Sequence, residues 1–306
     1  MESSTQRSVG TTAATGGALQ RDVSTDAFEF VRELAAELSE NKVELPSFPD
    51  IALRVQKVLA DESASAERVV RVLGAEPMLA TRVLSMANSA ALGAGGGKPV
   101  ADLRVAVTRL GFDALRAAVI GFAMAQLRKA AMYRGIERHM NSLWQHSVQV
   151  AALTFVIARR VGRVNPDTAL LAGLVHGVGK LYILTHATRH PALFGDRTMY
   201  QRIVQDWHVD IAKALLESWG MAEEIVSAVE QHQDEGRDGR GCGGVLADML
   251  ALASLLAACR EFAELPAERL AQEGAVGRFG LSAAVCQTLI AEAAQELSTL
   301  HEALGS

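Results

Sequence analysis

The stretch Asn165–Leu184, "NPDTALLAGLVHGVGKLYIL", carries the pattern that decides how this chain folds. Asn165 is a favourable N-cap residue, and Pro166 suits the first turn of a helix because its missing N–H would be unpaired there anyway. The alanines and leucines that follow lose little free energy in a helix. The stretch therefore predicts an apolar helix that carries His176 near its end, with two glycines and Lys180 directly after it.

The rest of the chain has the same helical character. Of its 306 residues, 49% are apolar but only 5% are aromatic, and this balance favours helices over sheets. Apolar residues recur at helical spacing between proline, glycine and serine breaks, and no run shows strands alternating with turns. We predict an all-α fold, a multi-helix bundle with an N-terminal helical subdomain, and the length is ample for a buried core.

Charge and cysteine content narrow the class of protein. A net charge of −5 and a pI near 5.9 argue against a nucleic-acid partner, since nucleic-acid binders usually have a basic surplus. The three scattered cysteines form no CxxC pair and no disulfide framework, which favours a cytoplasmic location. The longest uncharged run, Ala117–Leu127, is too short to span a bilayer, so we expect no membrane partner.

Breaks in the pattern predict where the helices begin. Residues 1–24 are rich in serine, threonine, glycine and alanine, so we expect a disordered tail. Thr25 is then a suitable N-cap for the first helix. Further along, the pair Leu110–Gly111 predicts the end of one helix, and Asp113 is expected to cap the next.

The helical part divides into one domain, 25–262, and an extension. We predict an N-terminal helical half over 25–135, a second half over 136–262, and a C-terminal helical extension over 263–306. The extension either packs back on the domain or serves as a dimer or partner helix. Its apolar stripe runs through Val285, Leu289, Ala293, Leu297 and Leu300.

Histidines are concentrated in the second half. Histidines from different helices that converge on one point are how a helical bundle builds a metal site. A single histidine of this kind is more often a hydrogen-bonded core residue, and the sequence leaves both interpretations open. The four histidines inside apolar helical segments are His146, His176, His208 and His232.

Another histidine pair has the spacing of a helical zinc site. His186 and His190 are four residues apart, but "HATRH" lacks the glutamate of HExxH, and Pro191 follows at once. We predict that these two histidines lie on the surface by chance and bind no metal.

Seven segments, taken in order, resemble the HDOD family, the HD-related output domain branch of the HD superfamily. The resemblance implies an all-helical output module, typically bacterial, whose relatives are regarded as regulators rather than confirmed hydrolases. The segments are "LPSFPDIALRVQKVLAD", "EPMLATRVLSMANSA", "ADLRVAVTRLGFDALRAAV", "LWQHSVQVA", "AGLVHGVGKL", "HVDIAKALLESWG" and "IVSAVEQH".

The resemblance also implies which positions correspond to the metal ligands of catalytic HD enzymes. Those enzymes use a histidine, a His-Asp pair and a later aspartate. His146 matches the first histidine and His176 the histidine of the pair, but Gly177 stands where the aspartate of the pair belongs. Ser254 stands at the position of the later aspartate.

Three further residues complete this vestigial pocket. By the same resemblance, His208 and His232 match the additional histidines of two-metal relatives. Lys180 matches no metal ligand. It either once met a substrate phosphate or is a solvated lysine at a helix end.

The absence of both carboxylates predicts that the pocket does not hold a catalytic metal ion. An ion held only by neutral imidazoles has no anion to offset its desolvation. At about 100° per residue, Asp248 lies roughly 120° around the helix from Ser254. Asp210 and Glu230, each two residues from a pocket histidine, lie about 200° round, on nearly the opposite face. We therefore expect no metal and no other cofactor, although four imidazoles are an accepted type of zinc ligand.

These observations favour a non-catalytic regulatory module that binds a signalling protein. Two alternatives stay open at this point: a metal-dependent phosphohydrolase or phosphodiesterase acting on nucleotides, and a sensor that binds a small nucleotide where Gly177 leaves room. The sequence specifies neither the partner nor the oligomeric state.

Overall fold

The fold is built from helices, as the sequence predicts. The computed structural model describes residues 12–45, 48–61, 63–88, 99–130, 133–233, 244–259 and 274–304, and every regular element in these ranges is helical. The α-helices are α1 (Thr12–Ser39), α2 (Asp50–Leu59), α3 (Ala66–Leu73), α4 (Pro77–Ala87), α5 (Leu103–Arg128), α6 (Glu137–Val161), α7 (Pro166–Val175), α8 (Val178–His186), α9 (Arg197–Ser218), α10 (Glu223–Gln231), α11 (Gly244–Cys259), α12 (Gly274–Arg278) and α13 (Ala283–Leu304). Short 3₁₀ turns, Ala187–Arg189 and Pro191–Gly195, join α8 to α9.

Helix α5 is interrupted where the sequence predicts a break. Gly111 has φ 73° and ψ 175°, so two helical segments meet there at a kink. The predicted cap, Asp113, has a different role: its carboxylate accepts a hydrogen bond of 2.6 Å from the Thr168 hydroxyl of α7. The buried Thr168 needs an acceptor, and this long-range bond ties the two halves together.

In the second half, helices α8 and α9 are in close backbone contact. A Cβ atom at Gly179, on α8, would lie 1.9 Å from the carbonyl oxygen of His208 on α9. Only glycine permits this approach, which fixes His208 beside the α7–α8 turn.

The capping predicted for α7 is confirmed, because the Asn165 side chain accepts a 2.8 Å hydrogen bond from the Asp167 amide.

Helix α1 differs from the prediction in its start and in its place. It begins at Thr12, whereas the sequence predicted disorder up to residue 24 and a cap at Thr25. Residues 12–24 contain no proline and continue the helix that follows, and residues 1–11 lie outside the described ranges. Although predicted within the N-terminal half, α1 packs against α9 and the turn Pro191–Gly195 of the second half.

The C-terminal extension packs back on the domain. Leu289, Ala293 and Leu297 are buried and belong to the same hydrophobic core as the two halves. At the edge of this contact, Arg159 of α6 pairs with Glu296 of α13 at 3.1 Å. The sequence left open whether the extension packs on the domain or serves as a dimer or partner helix. Within this chain, the extension packs on the domain.

Two helical stretches are long and apolar enough to cross a bilayer by length and composition alone. These are Leu103–Lys129 and Pro166–Arg189, of which 72% and 89% are buried inside the fold. Such burial is typical of the core helices of a folded domain.

Candidate functional site

Three of the four histidines that the sequence singled out come together in space. His146 lies on α6, His176 at the end of α7 and His232 at the end of α10. The ring centroids of His146 and His176 are 5.3 Å apart, and those of His176 and His232 are 5.8 Å apart. His176 is therefore the centre of a cluster of imidazoles contributed by three different helices.

Backbone carbonyls fix the tautomers of three imidazoles. The Nδ1 atoms of His176, His208 and His232 each lie 2.7 Å from a carbonyl oxygen of the preceding helical turn. Because a carbonyl only accepts hydrogen bonds, each Nδ1 carries the hydrogen and each neutral ring keeps its lone pair on Nε2. Within the described residues, the Nε2 atom of His176 has no hydrogen-bond partner.

Burial disfavours the charged form of two of these histidines. Desolvation lowers the pKa of His176 well below its usual value, and His232, His146 and the Lys180 ammonium lower it further. Desolvation, followed by the charge of Lys180, also lowers the pKa of His208. In the described part of the chain, the charged groups that shift these two pKa values are histidines and Lys180, with no carboxylate among them.

A side chain at position 177 would meet the hydroxyl of Ser147. A Cβ atom on Gly177 would lie 3.0 Å from the Ser147 hydroxyl oxygen, a tight contact that requires the hydroxyl to move. Gly177, Trp144 and Trp219 line a cavity of about 20 Å³. That volume holds about one water molecule and no nucleotide, so the room expected beside Gly177 is smaller than the ligand-sensor alternative needs.

The neighbouring carboxylates point elsewhere, as the helical angles predict. Asp248 is buried and accepts two hydrogen bonds from the Arg278 guanidinium of α12, at 2.6 and 2.5 Å. Glu230 pairs with Lys213 at 2.9 Å, and Asp210 is exposed.

Ser254, at the position of the later aspartate, lies on α11. Its hydroxyl oxygen is buried and has no hydrogen-bond partner within the described residues. A hydroxyl here supplies neither the charge nor the paired oxygens of a carboxylate.

These observations do not fit the carboxylate-bridged metal centre of catalytic HD enzymes. The tautomers suit metal ligation, because Nδ1–H bonded to a carbonyl leaves Nε2 directed outward as a donor. However, the position of the bridging carboxylate is packed against Ser147, and the charge of Lys180 acts on two of the imidazoles. A divalent cation would meet a positive charge where a stabilising anion is needed.

The prediction for His186 and His190 is wrong in one respect, because both side chains are buried. His186 stacks on Tyr182 with ring centroids 3.9 Å apart, and burial lowers its pKa. The Nε2 atom of His190 lies 3.2 Å from a carboxylate oxygen of Glu33 on α1. Glu37, one turn further on, accepts a short hydrogen bond from the Tyr182 hydroxyl.

Sequence reasoning missed this contact because it joins residues about 150 positions apart. The sequence does contain one signal that could have indicated this contact, a row of acidic residues at helical spacing on α1: Glu29, Glu33 and Glu37. Donor atoms of Asp26, Glu29 and His190 lie within 4.8 Å of one another. Asp26 and His190 already have hydrogen-bond partners, the Ala192 amide and Glu33 respectively, so the cluster holds α1 in place.

An all-helical fold with a pocket built from histidines of several helices is typical of the HD-superfamily class of proteins. A sequence profile of the HDOD domain matches residues 45–235, more than half of the chain. The chain belongs to the HDOD domain family, as the resemblance implied.

Solved structures share the fold. An HDOD domain protein with unknown function from Geobacter sulfurreducens is 26% identical, with a TM-score of 0.60 over 89% of this chain and 96% of that one. A protein from Shewanella amazonensis SB2B, provisionally named a metal-dependent phosphohydrolase, is 25% identical, with a TM-score of 0.64 over 88% and 99%. A provisionally named signal transduction protein from Marinobacter aquaeolei VT8 is 23% identical, with a TM-score of 0.61 over 93% and 66%.

One curated relative matches over a shorter region. Ribonuclease Y from Thermus thermophilus is 27% identical over 121 residues, which is 40% of this chain but only 18% of that protein. The match covers less than a fifth of the relative.

Proposed function

We propose that this chain is a non-catalytic bacterial regulatory module that transmits a signal by binding a partner protein. The observation that carries the proposal is the composition of the pocket: buried neutral imidazoles beside Lys180, with neighbouring carboxylates bonded to basic residues elsewhere. Membership of the HDOD family and the likeness to a protein provisionally named for signal transduction support the same role.

The chemistry of hydrolysis explains why this composition argues against an enzyme. Metal-dependent phosphohydrolases need an ion that lowers the pKa of a bound water and stabilises charge on the phosphate. Carboxylates offset the charge of such ions when they leave bulk water. Here the imidazoles are instead held by their own helices, and the cluster acts as a packed polar element of the core.

A second candidate rests on the orientation of His176. Its Nε2 lone pair is buried and unbonded within the described residues, and this favours a donor or a metal ion at that point. A metal-dependent phosphohydrolase acting on nucleotides is the corresponding function.

Metal analysis of the purified full-length chain separates the two candidates. The protein is prepared without chelator or affinity metal, then assayed for Mn, Fe and Zn and for hydrolysis of bis(p-nitrophenyl) phosphate, beside His176→Ala. We expect far less than one ion per chain and no turnover above buffer in either protein. One ion per chain, lost together with activity in His176→Ala, contradicts the regulatory proposal and supports the enzyme.

A further inference from the structure

A groove lies between the two halves, and Trp219 separates it from the small cavity beside Gly177. It has a volume of about 830 Å³, within the range of ligand pockets, and runs between α2 and the C-terminal end of α9. We call it the interhalf groove. It is lined by Leu45, Phe48, Leu53, Gln56, Glu217 and Trp219, among other residues.

An aromatic stack forms the apolar part of the wall of the interhalf groove, whose lining is otherwise polar and charged. Phe48, which precedes α2, stacks on Trp219 at the end of α9, with ring centroids 4.9 Å apart and planes inclined by 19°. Both side chains are buried, so this stack joins the two halves. Leu53, also in the lining, is 41% exposed and so offers an apolar contact to a ligand.

The buried amide of Gln56 points to a missing partner. Gln56 is 1% exposed, yet within the described residues neither its Nε2 nor its Oε1 atom has a hydrogen-bond partner. Nearly all buried polar side-chain atoms in proteins are bonded, so an amide that leaves both a donor and an acceptor unused requires an explanation. Both amide atoms are buried in the free chain, so a ligand in the groove reaches them only after the side chain rotates. No hydrogen bond within the described residues opposes that rotation.

Charge narrows the class of ligand. Three carboxylates line the interhalf groove, those of Glu44, Asp50 and Glu217, against the single ammonium of Lys57. The surplus of negative charge repels anions and attracts cations. A nucleotide, whose base would suit the amide of Gln56, carries phosphates that this lining disfavours.

We infer that the interhalf groove binds an extended, basic peptide segment of a partner protein, with the Gln56 amide bonded to its main chain. A peptide unit offers one donor and one acceptor, which match the two unused atoms of Gln56. An apolar side chain of the segment meets Leu53, and its lysines or arginines meet the three carboxylates. The inference deepens the proposed function, on which it rests, by giving the partner a surface and a chemistry.

The stability of Gln56→Leu is the first test. The substitution keeps the volume roughly constant and removes a buried amide that has no partner in the free chain. We expect its free energy of unfolding in urea to equal or exceed that of the unaltered chain, because an unbonded buried polar group is unfavourable. Gln126→Leu, at an exposed position of α5, is the matched control. A marked loss of stability in Gln56→Leu alone would show that the amide has a structural partner and overturn the inference.

The second test asks what the groove binds. A phage-displayed library of random heptapeptides is selected on the full-length chain, with counter-selection on Gln56→Leu. We expect enriched sequences that combine lysine or arginine with an apolar residue. A fluorescent copy of the enriched peptide should bind Gln56→Leu about tenfold more weakly than the unaltered chain, the loss expected for hydrogen bonds to a buried amide. Gln126→Leu should bind like the unaltered chain.

Each failure has a distinct meaning. Enriched peptides that bind Gln56→Leu equally well, an enrichment of acidic sequences, or stabilisation by adenosine without any peptide enrichment overturns the inference about the groove. None of these results bears on the metal analysis of the histidine pocket. One metal ion per chain together with turnover removes the proposed function, whatever the groove binds.

Discussion

At position 177 the choice between glycine and aspartate changes both the available space and the local charge. The Ser147 hydroxyl lies 3.0 Å from where a Cβ would be, and desolvation lowers the pKa of the neighbouring buried His176. A carboxylate placed here without a metal ion loses its hydration, and the Lys180 ammonium beside the cluster offsets only part of that cost. Glycine removes both difficulties, and its φ of −88° is one that other residues also adopt.

Gly177→Asp should therefore lower the free energy of unfolding, by about 3 kcal/mol at pH 7.5. Gly177→Ala is the matched control, because it introduces the same Cβ contact without the charge, and we expect it to lose less than half as much. Urea denaturation of the three proteins measures both quantities. If Gly177→Asp is as stable as Gly177→Ala, the site accommodates a carboxylate and our account of its loss is wrong.

The buried imidazole of His176 makes stability depend on pH. Its folded pKa is depressed, whereas the unfolded side chain titrates near pH 6.5, so below that pH the unfolded state binds more protons. Stability is therefore lost as the pH falls through 6.5, with a slope of up to about 1.4 kcal/mol per pH unit for this one group. Denaturation at pH 7.5, 6.5 and 5.5 should show a shallower slope in His176→Gln. The exposed His139, changed to glutamine, should leave the slope unaltered.

At the scale of elements, an ion pair between Arg278 and Asp248 joins α12 to α11. Arg278 donates two hydrogen bonds to Asp248, which is 4% exposed. A bidentate guanidinium–carboxylate pair attracts the two groups and also fixes their relative orientation. It therefore keeps the Asp248 carboxylate away from the pocket side of α11.

Arg278→Met should lower the free energy of unfolding by about 3 kcal/mol, because it removes the bidentate partner of a buried carboxylate. The double variant Asp248→Leu, Arg278→Met should recover most of this loss, since no charge is then left in the apolar interior. Thermal and urea denaturation of the single and double variants measure the difference. A double variant no more stable than the single one would contradict this account.

The kink in α5 depends on a backbone conformation that favours glycine. Gly111 has φ 73°, and no atom lies within 4 Å of the position of an added Cβ. Gly111→Ala should therefore destabilise the chain through the backbone alone, by about 1–3 kcal/mol. Gly195 has equally open surroundings but no positive φ, so Gly195→Ala should change stability by less than about 0.5 kcal/mol. Equal effects of the two substitutions in urea denaturation would rule out the backbone explanation.

At the scale of the whole molecule, local features could be predicted from the sequence and distant contacts could not. The cap at Asn165, the break at Gly111 and the histidines on apolar helices follow from short-range rules of helix geometry. The contact of Glu33 with His190 joins positions 157 residues apart, and helical spacing contains no information about it. The burial of the Gln56 amide could not be predicted either, because in the sequence this position looks like an ordinary polar site on α2.

A single hydrophobic core extends across the boundaries drawn from the sequence. It includes Phe30 of α1, Leu115 of α5, Val148 of α6 and Leu289 of α13. Elements that share a buried core tend to unfold together, so the extension beyond residue 262 belongs thermodynamically to the domain.

Leu289→Ala tests whether the extension is part of this unit. Leu289 is fully buried, so its truncation should lower the free energy of unfolding of the whole chain by about 2–5 kcal/mol. The unfolding transitions measured by circular dichroism and by tryptophan fluorescence should shift together. The tryptophans lie outside α13, so their fluorescence responds only if the loss of stability extends to the rest of the domain. Val105→Ala, at a residue that is 50% exposed, is the control and should have little effect. If fluorescence is unchanged while circular dichroism shows a separate early transition, α13 unfolds on its own and the chain consists of a domain with an independent helix.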